Sequence, residues 1–147
     1  MISAPKQRQL RRDWLLIFMI TNPTLTKNVT NLGVIGEGLE TVILFNGVSK
    51  VQIPLDLTKD ISKYQFILNY GNSNVDFVNT DNLQFDYTRT NEFVSRACGY
   101  KTLFKLSDTN PFTQTDATTP DGLWMKNITV LQSNINNENE THLSISF

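Results

Sequence analysis

An alternation of apolar and polar residues in the middle of the chain is the feature that most restricts the fold. Leu83, Phe85 and Tyr87 alternate with polar residues, so in an extended chain all three side chains share one face. Residues 64–70 show the same period of two. Short apolar runs recur between turn signals, and no run of ten or more residues has a helical period. The pattern predicts an all-β protein, an antiparallel β-sandwich that is immunoglobulin-like in its general architecture.

Turn residues divide the chain into short predicted strands. These cover residues 14–20, 29–35, 42–45, 48–53, 63–70, 83–88, 93–104, 128–131 and 142–147. Asn46-Gly47 favours a type I′ turn and predicts a β-hairpin over residues 42–53. The last two strands are predicted to form another hairpin with a longer connection. The segment Ser107 to Gly122, rich in Asp, Thr and Pro, is interpreted as a long exposed loop.

Length and charge favour one globular domain without an affinity for nucleic acid. The chain has 147 residues, enough for one sizeable core. We expect residues 21–147 to form a single β-sandwich domain after an atypical N-terminal segment, residues 1–20. The apolar run Trp14 to Ile20 is too short to cross a bilayer and lacks a signal-peptide cleavage site, so we interpret it as the first strand. The net charge of -1 gives no electrostatic reason to expect nucleic acid as a partner.

The titratable residues predict neither an active site nor a metal or cofactor site. His142 is the only histidine, so a triad or a histidine-rich metal site is at best very incomplete, and we interpret it as a residue at a strand edge. Asp108, Asp116 and Asp121 lack the spacing of a calcium-binding loop and are interpreted as solvated loop carboxylates. We therefore expect a protein that is not an enzyme, with no catalytic residues, metal or cofactor.

Cys98 lies where the two central apolar runs meet. It is the only cysteine, so no disulfide can form within this chain. Its residue type favours a small buried hydrophobe, while half of a disulfide or a reactive thiol is the alternative. Gly99 beside it permits a β-bulge or a close approach of the backbone. Arg89 and Arg96 bracket the central turn, either as receptors for an anionic partner or as ordinary surface cations.

The central stretch also carries a family resemblance. Its characteristic residues are Tyr87, Arg89, Phe93, Ser95, Cys98, Gly99 and Tyr100. This pattern resembles the signature of a family of uncharacterised lipoproteins from Bacteroidota, especially flavobacteria, over residues 21–147. The resemblance implies a location in the cell envelope, at the outer membrane or in the periplasm, and no particular chemistry.

The N-terminus departs from that family. Members typically begin with a lipoprotein signal peptide and a lipid-bearing Cys, followed by an Asp-Asp-Ile-Cys-like element. A nucleotide sequence that encodes Met1-Ile2-Ser3-Ala4 can spell Asp-Ile-Cys when it is read from its third base. We therefore expect residues 1–20 to be a frame-shifted translation or a misplaced start ahead of an authentic domain. In that case the resemblance implies that Cys98 pairs with an upstream Cys that is absent from this chain.

Two functions follow from these expectations. The first is a non-enzymatic cell-envelope subunit, similar to outer-membrane lipoproteins, that binds an outer-membrane protein through edge strands and the Ser107 to Gly122 loop. Its contact with the membrane would be only through a lipid anchor that this chain lacks. The alternative is a surface module that binds glycan or another ligand, with Trp124, Tyr70 and nearby loop aromatic residues stacking on sugar. The sequence indicates no oligomeric state.

Overall fold

The computed structural model describes residues 15–21, 28–38, 42–136 and 140–147, the first of these segments through its backbone alone. Within these ranges, a 3₁₀ turn covers Val75–Phe77. The described residues form eleven strands: β1 (Leu15–Thr21), β2 (Leu32–Gly36), β3 (Ile43–Phe45), β4 (Lys50–Pro54), β5 (Ile61–Leu68), β6 (Asn79–Ser95), β7 (Gly99–Leu106), β8 (Phe112–Asp116), β9 (Asn127–Val130), β10 (Asn134–Ile135) and β11 (Leu143–Ser146).

These strands form two sheets that pack face to face. The smaller sheet has the strand order β4-β1-β11-β9, and the larger has the order β10-β7-β6-β5-β2-β3, with β8 also paired to β6. Side chains of Ile53 and Leu143 from the smaller sheet join Phe66 and Phe85 from the larger one in a single buried cluster. Such burial on the inner faces of two sheets is what holds a sandwich together. The predicted all-β sandwich is confirmed.

The long strand β6 links the sandwich core to a projecting hairpin. Residues 79–86 pair with β5 on one edge, and residues 81–85 pair with β8 on the other. From Tyr87 onward β6 pairs only with β7 among the described strands. Leu83, Phe85 and Tyr87 are buried as the alternation predicted. The first half of β6 therefore belongs to the core, and its second half belongs to a two-stranded arm.

The predicted hairpin over residues 42–53 is wrong. Its two halves, β3 and β4, lie in different sheets, since β3 pairs with β2 and β4 pairs with β1. Gly47 has a φ of 70°, but Asn46 lacks the positive φ that a type I′ turn requires at both central positions. Val29 forms an isolated antiparallel bridge with Val48 at this crossing. The connection carries the chain from one layer of the sandwich to the other.

The interpretation of Ser107 to Gly122 as one exposed loop is also wrong. Strand β8 lies inside it and follows the edge of β6 that β7 occupies farther along. The remainder of the segment, residues 107–111 and 117–122, is irregular. The segment therefore extends the larger sheet instead of forming a free loop.

The strands at the two ends of the chain meet in the smaller sheet. The predicted first strand is confirmed over residues 15–20, while Trp14 lies outside the described residues. It runs parallel to β11, with Phe18 opposite Leu143. The predicted closing hairpin is confirmed by the antiparallel pairing of β9 with β11. Its connection includes β10, which pairs with β7 of the larger sheet.

Candidate functional site

The arm formed by β6 and β7, residues 87–106, is the candidate functional site, and we call it the projecting hairpin. Its root belongs to the core, because Tyr87, Phe104 and Leu106 are at most 3% exposed. The rings of Tyr87 and Phe104 meet edge to face with centroids 5.2 Å apart. Beyond the root, residues 88–94 are exposed. The hairpin therefore starts inside the sandwich and ends in solvent.

Hydrogen bonds fix the root. The Tyr87 hydroxyl donates to the Asp56 carbonyl oxygen at 2.8 Å and lies 2.7 Å from Ser62 Oγ. Ser62 Oγ in turn accepts the Asp56 N–H at 2.9 Å. Burial raises the pKa of Tyr87 to about 12, so the hydroxyl keeps its proton and remains a donor.

Arg89 fastens the next part of the hairpin to the loop before β5. Its Nε contacts Asp60 Oδ1 at 2.8 Å, and its Nη1 donates to the Leu57 carbonyl oxygen at 2.7 Å. This geometry gives Arg89 a structural role, because its Nε and Nη1 bind oxygens of the protein itself. Arg96 is exposed at the turn of the hairpin.

The tip of the projecting hairpin is aromatic and exposed. The rings of Phe93 and Tyr100, which are 58% and 63% exposed, meet edge to face at 5.4 Å. Both residues continue the face that carries Tyr87 and Phe104 at the root, since Phe93 lies opposite Tyr100 and Arg89 opposite Phe104. Val94 is 49% exposed. The inner face of the sheet thus extends past the described part of the opposing layer and ends in an uncovered aromatic pair.

The outer edges of this arm have no ladder partner within the described part of the chain. Residues 90–95 and 99–103 pair only with each other there. An unpaired edge presents backbone N–H and C=O groups to which another strand can add. The tip therefore offers apolar side chains together with open backbone edges.

The turn itself holds the three small residues of the predicted motif. The pairing shifts register between Phe93 and Ser95, and Gly99 has a φ of 72°. Ser95 Oγ accepts the Cys98 N–H at 3.0 Å. These features confirm an irregularity in the ladder at this turn, where Gly99 supplies the left-handed conformation. Cys98 is a half-buried free cysteine that lies outside the hydrophobic core, so its interpretation as a buried hydrophobe is wrong.

All seven residues that carry the family resemblance lie on the projecting hairpin, with different roles. Tyr87 and Arg89 anchor its root, whereas Phe93 and Tyr100 form its exposed tip. The other three, Ser95, Cys98 and Gly99, shape its turn. The residues of this pattern, which lie within positions 87–100 of the sequence, therefore belong to one structural unit.

The candidate catalytic side chains do not converge. His142 is fully buried where the chain enters β11, and burial lowers its pKa. Cys98 lies at the turn of the projecting hairpin, in the other sheet. Asp116 accepts the N–H groups of Ala117 and Gly122, and Asp121 accepts that of Thr80. Within the described ranges, no three His, Cys, Asp or Glu side chains are placed to hold a metal ion.

The buried carboxylate of Asp81 was not predicted from the sequence. Asp81 is fully buried, and Oδ2 accepts the N–H groups of Trp124 and Met125 at 3.0 and 2.9 Å. Burial raises its pKa, and the hydrogen bonds from Met125, Trp124 and Gln114 oppose that shift. Asp81 is in phase with Leu83 on β6, and this phase was the available signal.

Trp124 cannot stack on a sugar as the alternative function required. Its side chain is only 5% exposed, and its Nε1 donates to the Phe66 carbonyl oxygen at 3.0 Å. Tyr70, by contrast, is 37% exposed. Of the two aromatic residues proposed for glycan stacking, only Tyr70 is accessible.

Comparison with known proteins identifies a family and no activity. Residues 31–147 match the model of a family of unknown function, DUF6452. No curated protein and no solved structure matches the chain. Among the described residues no helix is long and apolar enough to span a membrane. Since the matched region covers more than half of the sequence, the chain belongs to the DUF6452 family of unknown function.

Proposed function

We propose that this protein is a non-enzymatic binding subunit of the cell envelope that docks onto an outer-membrane protein through the projecting hairpin. The single observation that carries the proposal is the exposed aromatic pair Phe93–Tyr100 at the end of an arm rooted in the core. Aromatic residues dominate the energetics of protein interfaces because they bury a large area with few rotatable bonds. A rigid root reduces the entropy that such an arm loses on binding.

The open backbone edges support docking by strand addition. Residues 90–95 of β6 have no second ladder neighbour in the described part of the chain. A strand of the partner can pair with this edge, while Phe93 and Tyr100 fill a pocket beside it. The hairpin thus takes the place of the Ser107 to Gly122 loop in the original hypothesis, because β8 lies inside that segment and pairs with β6.

The assignment to the envelope rests on the resemblance to Bacteroidota lipoproteins. In this proposal the native protein carries an N-terminal lipid anchor, and Cys98 pairs with the upstream Cys of that form. Its position at a half-exposed turn is compatible with such a bridge. The distribution of Cys98, His142 and the carboxylates over separate parts of the fold supports a role in binding rather than in catalysis.

Site-specific cross-linking tests the docking. A photo-activatable amino acid is placed at position 94, on the hairpin, or at position 75, in the 3₁₀ turn, where Val94 and Val75 are both exposed. The lipidated protein is expressed in its own host, irradiated and recovered from mildly solubilised outer membrane. We expect one membrane protein to be cross-linked from position 94 and not from position 75.

Substitutions at the tip supply the control. The double substitution Phe93→Ser and Tyr100→Ser should abolish the cross-link from position 94. The double substitution Val75→Ser and Phe77→Ser should leave that cross-link unchanged, because Val75 and Phe77 are also exposed but lie outside the hairpin. Identical cross-linked products from both positions, or products that survive the tip substitutions, would contradict docking through the hairpin.

A further inference from the structure

The outer face of the larger sheet carries a groove, lined by polar side chains and by apolar surface, that is separate from the tip of the projecting hairpin. Its volume is about 460 Å³, within the range of small-molecule sites. The floor and walls are formed by residues of β2, β5, β6 and β8 and of the turn after β2. Those that matter most for recognition are Glu37, Lys63, Gln65, Asn82, Gln84 and Thr115.

Strand register arranges these side chains in two rows across the sheet. Gln65 lies opposite Asn82, which lies opposite Thr115. The neighbouring row contains Lys63 and Gln84 in the same way. Because neighbouring strands are about 4.8 Å apart, adjacent polar groups in a row are spaced for contact with a single ligand. We call these two sets the amide rows.

The amide rows retain unused hydrogen-bonding capacity. Asn82 Nδ2 donates to the Asp116 carbonyl oxygen at 3.0 Å, and Gln84 Nε2 donates to Asp86 Oδ1 at 2.9 Å. These bonds hold both amides while leaving their oxygens without a protein donor in the described part of the structure. Gln65 and Thr115 make no side-chain hydrogen bond to any described residue. The groove therefore offers fixed acceptors beside groups that both donate and accept.

An apolar flank borders the amide rows. The Tyr70 ring lies against Gly33, where an added Cβ would be 2.7 Å from Tyr70 Cγ. Leu32 and Val34 are buried in the core. Gly33 and Ile35 alternate with them along β2 and therefore share its outer face. Ile35 lines the groove itself. Tyr70 lies beyond the lining residues of the groove, so a ligand with polar edges and an apolar face would contact both parts if it extends past Ile35.

We propose that the amide rows and the apolar flank formed by Ile35 and Tyr70 bind a neutral saccharide chain. Hydroxyl groups of a sugar both donate and accept, as amide and hydroxyl side chains require, and the C–H face of its ring can lie on Ile35 and Tyr70. Glu37 and Lys63 contribute one charge of each sign, so the groove gives no net attraction to an anion. The site is independent of the projecting hairpin and of its proposed docking.

Titration with defined saccharides, followed by NMR, tests the proposal on the full chain. The probes are neutral hexasaccharides of β-1,4-linked glucose, β-1,4-linked N-acetylglucosamine, α-1,4-linked glucose and β-1,4-linked xylose, with a sulfated heparin hexasaccharide as the anionic comparison. Added up to about 10 mM, they reveal dissociation constants in the millimolar range or below. We expect at least one neutral probe to shift the side-chain amide signals of Gln65, Asn82 and Gln84.

Paired variants separate the groove from the rest of the surface. Gln65→Ala with Thr115→Val removes two polar groups that make no hydrogen bond to a described residue, and it should weaken binding about tenfold or more. Gln52→Ala, which removes an exposed amide from β4 in the smaller sheet, should leave the affinity unchanged. The proposal is overturned if no neutral probe shifts these signals, if only the sulfated probe does so, or if the groove variant binds as tightly as the Gln52→Ala variant.

Discussion

At the scale of single residues, Asp81 connects the core of the larger sheet to the segment before β9. It accepts the backbone N–H groups of Trp124 and Met125 and one from Gln114. Asp81→Ala leaves two buried backbone donors without an acceptor, and we expect it to lower the free energy of unfolding by about 3 kcal/mol in urea titrations. Asp81→Asn should cost less, because its amide oxygen still accepts.

A surface carboxylate provides the comparison for Asp81. Asp108 contacts Lys105 at 3.5 Å and is largely exposed. Asp108→Ala should therefore change the free energy of unfolding by less than about 0.5 kcal/mol. Equal losses for Asp81→Ala and Asp108→Ala would show that the buried hydrogen bonds do not stabilise the fold.

His142 makes stability depend on pH. Burial lowers its pKa in the folded protein, an effect that Glu140 partly opposes. The unfolded chain binds a proton at His142 near pH 6.5, whereas the folded chain binds it only at a lower pH. The free energy of unfolding should therefore fall as the pH is lowered below about 7.5. His142→Gln should reduce this pH dependence in matched urea titrations. An unchanged dependence in the variant would assign it to other groups.

Gly33 is required because the Tyr70 ring occupies the space of its missing side chain. An added Cβ would lie 2.7 to 2.9 Å from three Tyr70 atoms near the backbone. We expect Gly33→Ala to destabilise the protein by about 2 kcal/mol, as over-packing does. Tyr70→Ala should remove most of this penalty in the double variant, which thermal unfolding can measure. Additive losses would place the ring elsewhere and remove the flank of the groove.

At the scale of elements, the projecting hairpin has a root that stabilises the fold and a tip that does not. Phe104 is buried at the root, whereas Tyr100 is mostly exposed at the tip. Phe104→Ala should lower the free energy of unfolding by about 3–5 kcal/mol. Tyr100→Ala should lower it by less than about 1 kcal/mol, since its contact is one surface aromatic pair. Similar losses at both positions in urea titrations would contradict this division.

The elements differ in how far sequence alone predicts them. The alternation through Leu83 and Phe85 predicts both the existence of β6 and its buried face, because a half-buried strand imposes that period. Asn46-Gly47 led to the wrong prediction of a hairpin, because turn residues indicate a local bend and do not specify which sheet the next strand joins. Strand β8 is hidden, because Thr and Gln dominate it and its pairing with β6 is what makes it a strand.

The candidate site was predictable in its residues but not in its geometry. The motif from Tyr87 to Tyr100 is readable as two adjoining strands, yet nothing in it shows that β5 starts only at Ile61 and leaves the distal edge of β6 uncovered. Asp81 shows the same limit: its phase places it on the core face, but its partners Trp124 and Met125 are more than forty residues away. Contacts between residues far apart in the sequence determine both the uncovered edge of β6 and the hydrogen bonds of Asp81.

At the scale of the whole molecule, the strand β6 belongs to two different environments. Residues 81–85 have strand neighbours on both edges, β5 and β8, inside the sandwich. Residues 90–94 have β7 on one edge and no described neighbour on the other. The protein is thus a two-layer sandwich in which β6 and β7 extend past the core to form an arm.

Amide hydrogen exchange along β6, followed by NMR, distinguishes these two environments. Each backbone N–H from Asp81 to Phe85 lies between two strands and should exchange slowly, through global opening of the fold. Between Thr90 and Val94 we expect alternate amides, those on the open edge, to exchange orders of magnitude faster than their neighbours that pair with β7. Uniformly slow exchange from Asp81 through Val94 would mean that both edges are covered throughout, and it would contradict the projecting hairpin.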